Sequence, residues 1–256
     1  MTGPTVVLAS QSPARLSVLR AAGIDPMVLV SGVDEDAVQR AHADAPPETI
    51  VAELALAKAL AVLPEAAKLL PRRASGSAET DIIVIGCDSM MWCAGELVGK
   101  PKDPDDARRQ WAQMSGGTST LLTGHAVLRL TEGQVVAQQV ATESTGIRFG
   151  SPDPTELETY LATGEPLQVA GSLTIDGYGG WFVDGVDGDP SSVIGISLPL
   201  TRRLLSGVGI RVTDLWRLPP GAAVPQTALP QTALPSTALP STALPSTALR
   251  STEEYP

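Results

Sequence analysis

The sequence contains few of the residues that several classes of protein require. It has two cysteines and two histidines, which are too few for a disulfide framework or a His-rich zinc site. Aromatic residues make up 4 %, and 18 basic side chains stand against 28 acidic ones, so the formal net charge is −10 at pH 7. A protein that holds nucleic acid by neutralising phosphates needs the opposite balance. We therefore expect no nucleic-acid partner.

Long apolar segments are missing as well. No charged-then-apolar leader opens the sequence, and no uninterrupted apolar run approaches the ~18 to 20 residues that cross a bilayer. Hydrophobic residues nevertheless make up 43 % of the 256 residues and charged residues 18 %, which is ordinary for a protein with a packed core. These features predict a reduced, cytoplasmic, soluble protein with no membrane partner.

The globular part is predicted to end near residue 217. From Pro225 the sequence consists of five proline-containing pentapeptides, PQTAL twice and then PSTAL three times, followed by RSTEEYP. A five-residue period with recurring proline matches neither helix nor strand. We predict one domain over residues 1–217 and a disordered Pro/Thr/Ala/Leu repeat tail over residues 218–256. A Pro-rich docking site is the alternative, although the repeats contain no PxxP spacing.

Apolar runs alternate with helical patterns along the domain. Strands are predicted over residues 5–9, 82–89, 119–130, 134–149 and near 180–183, with IIVIGCDS at 82–89 as the clearest buried strand. Helices are predicted over residues 13–22, 47–63, 103–114, 155–161 and 198–205. A polar segment over residues 71–81 is predicted to be a surface loop. Strands that alternate with helices indicate an α/β domain with a mixed central β-sheet flanked by helices.

The first strand-to-helix turn is a candidate anion site. Ser10, Ser12 and Arg15 lie there, where unpaired backbone N–H groups and the helix dipole favour negative charge. Arg15 in the first turn of a helix opposes the dipole, and an anion bound between them would compensate for that placement. The alternative is a Ser-Pro helix cap with a solvated arginine.

Asp88 is a candidate catalytic carboxylate. It follows six mostly apolar residues, so we expect it at the end of a strand and only partly solvated. A partly buried aspartate needs a cation, a metal or N–H donors as a partner. The alternative is a strand-end cap that accepts backbone hydrogen bonds.

Three more charged residues are candidates for chemistry. Lys58 lies in an Ala/Leu-rich helix and could extend its amine into a cleft or lay its stem over apolar neighbours. Lys100 follows a predicted hairpin turn at residues 94–95 and could reach the same face, or it could be an ordinary surface lysine. Glu35, next to Asp34, could belong to a solvated turn.

Several familiar motifs are absent. The stretch DGVDGDP at 184–190 lacks the register and closing glutamate of a calcium loop. No phosphate-binding P-loop or dinucleotide fingerprint is present. His125 falls in a predicted strand with no nucleophile elbow nearby, which argues against a Ser-His-Asp triad. Cys87 lies on the predicted buried strand, so we expect it to pack rather than react.

Eight sequence blocks occur in order along the domain. They are LASQSPAR (8–15), VDED (33–36), LAKA (56–59), IGCDS (85–89), GELVGKP (95–101), SGG and TGHAV (115–127), EPLQVAGS (165–172) and VIGISLPL (193–200). Together they resemble the Maf family of nucleoside triphosphate pyrophosphatases, which is historically linked to septum formation. The resemblance covers nearly all of residues 5–210 and implies a fold similar to that of the inosine triphosphate pyrophosphatases.

The resemblance implies a reaction and the residues that carry it out. Water would attack the α-phosphorus of a nucleoside triphosphate, either a common one or a noncanonical or modified one, and pyrophosphate would leave. Asp88 is implied as the general base or a metal ligand, and Glu35 as a second ligand of Mg²⁺ or Mn²⁺. A carboxyl with a pKa near 4 favours water orientation and metal coordination over full proton removal. The residues that match triphosphate-binding positions are Ser10, Arg15, Lys58 and Lys100.

The positions that the family ties to base choice depart from its known branches. Many members have Arg-Arg after Ser-Pro, whereas this chain has Ala14 before Arg15. Ser89 stands where the pyrimidine-directed branch has Thr and the methylguanosine-directed branch has Trp, and Asp176 stands where both have Gln. The resemblance therefore does not imply which base is preferred. Family members are often dimeric, and the resemblance therefore allows a homodimer. A nucleotide-binding regulator of cell division without turnover is the alternative function.

Overall fold

A seven-stranded mixed β-sheet lies at the centre of the computed structural model, which describes residues 4–69 and 81–217. The strands are β1 (Thr5–Ala9), β2 (Met27–Val28), β3 (Ile82–Cys93), β4 (Glu96–Val98), β5 (Thr118–Thr131), β6 (Gln134–Phe149) and β7 (Val183–Asp187). They follow the order β2-β1-β3-β5-β6-β7, and β4 pairs with β3. The short strand β1 runs parallel to both neighbours, and the other pairs are antiparallel.

Eight α-helices connect and cover the strands within the described residues. They are α1 (Pro13–Ala21), α2 (Glu35–Ala41), α3 (Pro47–Ala61), α4 (Leu63–Ala67), α5 (Pro104–Met114), α6 (Pro154–Ala162), α7 (Pro190–Ile194) and α8 (Leu198–Gly207). Six of them begin after a Ser or Asp whose side chain accepts a backbone N–H, which satisfies one of the free donors at a helix start. These caps are Ser12, Asp34, Asp103, Asp153, Asp189 and Ser197.

Side chains of β3 alternate between two cores, as the two-residue period of a strand requires. Ile83, Ile85 and Cys87 pack with the apolar residues of α1 and α8. Ile82 and Val84 pack on the opposite face with the alanines of α3. Because the alternation continues along the strand, residue 88 falls on the α3 side of the sheet and residue 89 on the α1 side.

Two strand glycines allow α3 to lie directly on the sheet. A Cβ at Gly86 would stand 2.2 Å from the carbonyl oxygen of Ala55, and one at Gly124 would stand 2.0 Å from that of Val51. Both distances are far below van der Waals contact with rigid backbone atoms, so any larger residue would push the helix away. This close approach brings the buried face of α3 against the strand that carries Asp88.

The predicted α/β class and mixed sheet are confirmed, with differences at the ends of some elements. The strand predicted over 82–89 continues to Cys93, because the following residues remain apolar and stay paired with β5 as far as Trp92. The strand predicted near 180–183 begins only at Val183, after a 3₁₀ turn over Tyr178–Phe182. The hairpin turn at Ala94–Gly95 is confirmed, with both residues at positive φ.

Some helices also differ from the prediction. The segment predicted as one helix over 47–63 forms α3 and the short α4, which meet at Val62. Helix α2 was not predicted, because its seven residues contain no apolar residue that is buried in the structure. No helix of the described residues is long and apolar enough to cross a membrane. The predicted loop at 71–81, except Asp81, and the predicted tail at 218–256 lie outside the described residues.

Candidate active site

A cleft of about 730 Å³ opens at the carboxyl ends of β1 and of the part of β3 that pairs with it. It collects most of the residues that the sequence indicated, from five separate stretches of the chain. Asp176 is the exception, because it is exposed, lies outside the lining and accepts a hydrogen bond from the hydroxyl of Thr174, which does line the cleft. The predicted residues that line the cleft are Ser10, Ala14, Arg15, Glu35, Lys58, Asp88, Ser89 and Lys100.

Asp88 lies in a gap along one edge of β3. The pairing with β1 stops at Gly86, and the pairing with β4 begins at Met91. No strand of the described residues pairs with that edge over residues 87–90, so the cleft reaches the middle of a long strand. Asp88 is therefore within a strand, which corrects the prediction that the strand ends there. The site is open because the neighbouring strand is short.

Asp88 is buried and forms an ion pair. Only 6 % of the residue is exposed, which corrects the prediction of a partly solvated carboxylate. The ammonium of Lys58 lies 2.5 Å from Asp88 Oδ1 and 2.6 Å from Glu35 Oε1. Burial raises the pKa of Asp88, and the positive charges of Lys58 and Arg15 act against that rise. The predicted need for a partner is confirmed, and of the three kinds of partner considered the structure provides a cation.

Helix geometry explains how a lysine reaches this buried position. The buried residues of α3 are Val51, Leu54, Ala55, Lys58 and Ala59, a spacing that places them on one face of a helix. Lys58 thus occupies a position on the apolar stripe, and its stem is covered while its amine reaches the carboxylates.

Glu35 and Asp88 form a carboxylate pair that suits a divalent cation. Both contact the same ammonium, so their oxygens converge on a position that a positive charge already holds. Among the described residues no group of three or more His, Cys, Asp or Glu could hold a metal. Mg²⁺ commonly binds through one or two carboxylates, with substrate phosphates and waters completing its shell. The two carboxylates fit that mode of binding.

Arg15 is fixed by neutral acceptors. Its Nε–H donates to the Gly195 carbonyl at 2.8 Å, and its two terminal nitrogens donate to the hydroxyls of Ser10 and Ser89 at 3.1 Å each. No carboxylate of the described residues forms an ion pair with it. A guanidinium that is held in place but not neutralised retains charge and free N–H groups for an anion. The geometry does not support the alternative of a solvated arginine.

The first turn of α1 contains the predicted Ser12 cap and a second hydrogen bond that links Ser12 to Ser10. Ser12 Oγ accepts from the backbone N–H of Arg15, and the Ser12 N–H donates to Ser10 Oγ.

Lys100 is exposed at the rim of the cleft, and neither it nor Lys102 has an ion-pair partner within the residues that the structure describes. Sequence reasoning missed Lys102, although its position two residues after Lys100 in GKPK could have indicated it.

Behind Arg15, His125 is fully buried on β5. Its Nε2 accepts the N–H of Ser197 at 2.8 Å, so its proton lies on Nδ1, which faces the Thr123 carbonyl at 2.9 Å. Burial lowers its pKa from 6.5 to about 4, and the charged groups that act on it are Arg15, Asp189 and Arg203.

Cys87 is buried, and burial raises the pKa of its thiol to about 12, so it keeps its proton. The predicted packing role of Cys87 is confirmed.

The lowered pKa of His125 predicts acid sensitivity. Between about pH 6.5 and pH 4 the unfolded chain binds a proton that the folded protein excludes, so the free energy of unfolding should fall as pH falls. A difference of this size corresponds to roughly 3 kcal/mol. Urea titrations at pH 7, 5.5 and 4.5 should therefore show a shallower decline for His125→Gln than for the wild type. Parallel declines in the two proteins would contradict the assignment.

Comparison with known proteins places the chain in a family. A family model described as Maf-like protein matches residues 5–208. The chain belongs to the Maf family. A curated relative from Nocardia farcinica, named nucleoside triphosphate pyrophosphatase, is 57 % identical over 216 residues, which cover 84 % of this chain and 98 % of that protein. Relatives of the same name from Rhodococcus opacus and Mycolicibacterium gilvum are 56 % and 52 % identical, each over 82 % of this chain and 95 % and 97 % of their own.

The Maf match spans β1 to α8 and every residue named above as a site candidate. It confirms the resemblance that the eight sequence blocks indicated. The match ends before the repeat tail, as the predicted domain division requires, although that division itself stays a prediction.

Proposed function

We propose that this chain hydrolyses a nucleoside or deoxynucleoside triphosphate to the monophosphate and pyrophosphate. The observation that carries the proposal is the placement of the fixed, unneutralised Arg15 and the buried Lys58–Asp88 pair in one cleft. The name shared by the Maf relatives that are 52–57 % identical supports the same activity. The enzyme is thus a hydrolase of acid anhydrides.

The cations are proposed to hold the triphosphate. Ser10 and Arg15 would bind phosphate oxygens at the start of α1, where the helix dipole also favours negative charge. Lys100 would reach the phosphates from the rim of the cleft. The ammonium of Lys58, which contacts the carboxylates, would also face the phosphates. Positive groups aimed at the leaving pyrophosphate stabilise the charge that develops as the bond breaks.

Asp88 is proposed to orient the attacking water. Its carboxylate can accept a hydrogen bond from a water that faces the α-phosphorus, and its buried position limits competing solvent. Attack forms a bond from the water oxygen to the α-phosphorus and breaks the bond between that phosphorus and the α–β bridging oxygen. The electron pair of the broken bond leaves with pyrophosphate, and the attacking water releases a proton to solvent through its hydrogen bond with Asp88. A divalent cation, when bound by Glu35 and Asp88, would supply Lewis-acid stabilisation of the phosphate oxygens.

A nucleotide panel tests this proposal. The full-length protein is incubated with common, deoxy and modified triphosphates and Mg²⁺ or Mn²⁺, and products are separated by ion exchange. We expect equimolar monophosphate and pyrophosphate, and in heavy-oxygen water the label should enter the monophosphate. Orthophosphate as the first product, or label in pyrophosphate, would contradict α-phosphorus attack. Tight binding without products would favour the regulator of cell division instead.

The same panel addresses base choice. Ala14 and Ser89 line the cleft, but the Ser89 hydroxyl is engaged with Arg15, so a role in reading the base would have to share that contact. Ala14, Ser89 and Asp176 remain the sequence-based candidates for specificity. The cytoplasmic location, the homodimer and the absence of a nucleic-acid partner likewise stay predictions.

A further inference from the structure

We propose that Thr123 and His125 are positioning residues for Arg15. They belong to the TGHAV block, lie on β5 behind the cleft and do not line it. The inference rests on the proposed function, because the position of Arg15 matters to turnover only if Arg15 binds the triphosphate.

Both residues face the same side of β5. They are two residues apart, so their side chains share a face of the strand, and both are 0 % exposed. In the register with β3, Thr123 lies opposite Ser89 and His125 lies opposite Cys87. This places Thr123 beside Ser89, which contacts the guanidinium of Arg15.

A directional chain of hydrogen bonds runs from Arg15 to α7. Arg15 Nη2 donates to Ser89 Oγ at 3.1 Å, and Ser89 Oγ lies 3.1 Å from Thr123 Oγ1. Thr123 Oγ1 donates to the Ser192 carbonyl at 3.4 Å. Because a carbonyl only accepts, the Thr123 proton points to Ser192, and Ser89 must donate to Thr123. Each hydroxyl thus accepts once and donates once, and the Ser89 lone pairs face Arg15.

His125 binds the other end of the segment formed by residues 192–197. The Ser197 N–H donates to His125 Nε2 at 2.8 Å, and His125 Nδ1–H donates back to the Thr123 carbonyl at 2.9 Å. Ser197 in turn caps α8 through its hydroxyl. The imidazole therefore ties the start of α8 to β5.

Between these two anchors lies the third contact of Arg15. Thr123 holds Ser192 and His125 holds Ser197, and Gly195 between them accepts Arg15 Nε–H at 2.8 Å. Gly195 has φ 129°, and a Cβ there would lie 3.2 Å from Arg15 Cγ. The segment therefore adopts a backbone conformation suited to glycine and packs tightly on the arginine, so a shift at either anchor would move the acceptor.

A double-mutant cycle tests the role. We expect Thr123→Val to reduce kcat/KM about tenfold, Thr123→Ser to stay within about twofold of the wild type, and Thr123→Val to have no further effect in an Arg15→Ala background. The matched control is Thr145→Val on β6, which removes a buried hydroxyl that has no hydrogen-bond partner among the described residues. It should leave kcat/KM unchanged.

A second measurement separates this proposal from the proposed function. The Kd of inorganic tripolyphosphate should rise about tenfold in Thr123→Val, but not when Arg15 is already alanine. If the wild type releases no pyrophosphate, the proposed function fails and the binding cycle still tests the positioning role. If Thr123→Val does not fold, Thr123→Ala removes the same hydroxyl and replaces it. Additive losses in the cycle, or a Thr123→Ser variant as impaired as Thr123→Val, would overturn the proposal.

Discussion

Asp88→Asn is expected to reduce pyrophosphate release by about 10³-fold while leaving the protein folded. Asparagine keeps the shape of the side chain but carries no charge, so it can neither stabilise the proton of the attacking water through a charged hydrogen bond nor bind a divalent cation strongly. Correctly placed proton-transfer groups contribute about 10² to 10⁴-fold, and loss of a metal ligand would add to this. Single-turnover assays with the best triphosphate of the panel would measure the loss.

The stability of Asp88→Asn should differ little from that of the wild type. The charged form of Asp88 is disfavoured by burial, and Lys58 would keep Glu35 as a partner at 2.6 Å. We expect a change of about 1 kcal/mol or less in the free energy of unfolding, because a neutral group replaces a poorly solvated charge. Asp81→Asn is the matched control. Asp81 binds Arg129 and Thr131 away from the cleft, so its variant should lose stability but not turnover. Full activity in Asp88→Asn would remove Asp88 from the mechanism.

The parts of the site that could be predicted are those with local signals. The Ser-Pro cap of α1 and the turn at Ala94–Gly95 depend on residues adjacent in sequence, and both occur where expected. The buried strand with Asp88 was visible from its apolar run. Lys58 stood out because a lysine interrupts an apolar helix stripe. In each case the pattern arises within one element, so burial or capping can be inferred without knowing the neighbours.

The parts that could not be predicted depend on contacts between distant segments. The access of the cleft to Asp88 follows from the end of β1 at Ala9, and the burial of Asp88 follows from a glycine that brings α3 close. Periodicity reveals neither. Arg15 donates hydrogen bonds to Ser89 and Gly195, which are both distant from it in sequence, and the acceptor of Gly195 is its backbone carbonyl. Backbone acceptors have no sequence signature, so Gly195 was seen only as part of a family block.

Lys58→Met is expected to destabilise the protein by about 3 to 5 kcal/mol, because it leaves a buried carboxylate without its cation. Asp88 is 6 % exposed and loses its partner at 2.5 Å, whereas methionine itself suits both the helix and the apolar stripe. Urea denaturation at pH 7 would measure the change as a shift in midpoint at constant slope. Turnover should also fall steeply, since one of the proposed phosphate-binding cations is gone.

Combining Lys58→Met with Asp88→Asn should restore most of the lost stability but none of the activity. The double variant places two neutral side chains where the ion pair was, and replacement of a buried pair by neutral groups is often close to neutral in free energy. The two substitutions would then be strongly non-additive in the free energy of unfolding, as expected for residues in contact. Equal stabilities of Lys58→Met and the double variant would show that the instability of Lys58→Met has another origin. A stable, inactive double variant would instead show that this buried pair is kept for its chemistry, because the fold can do without it.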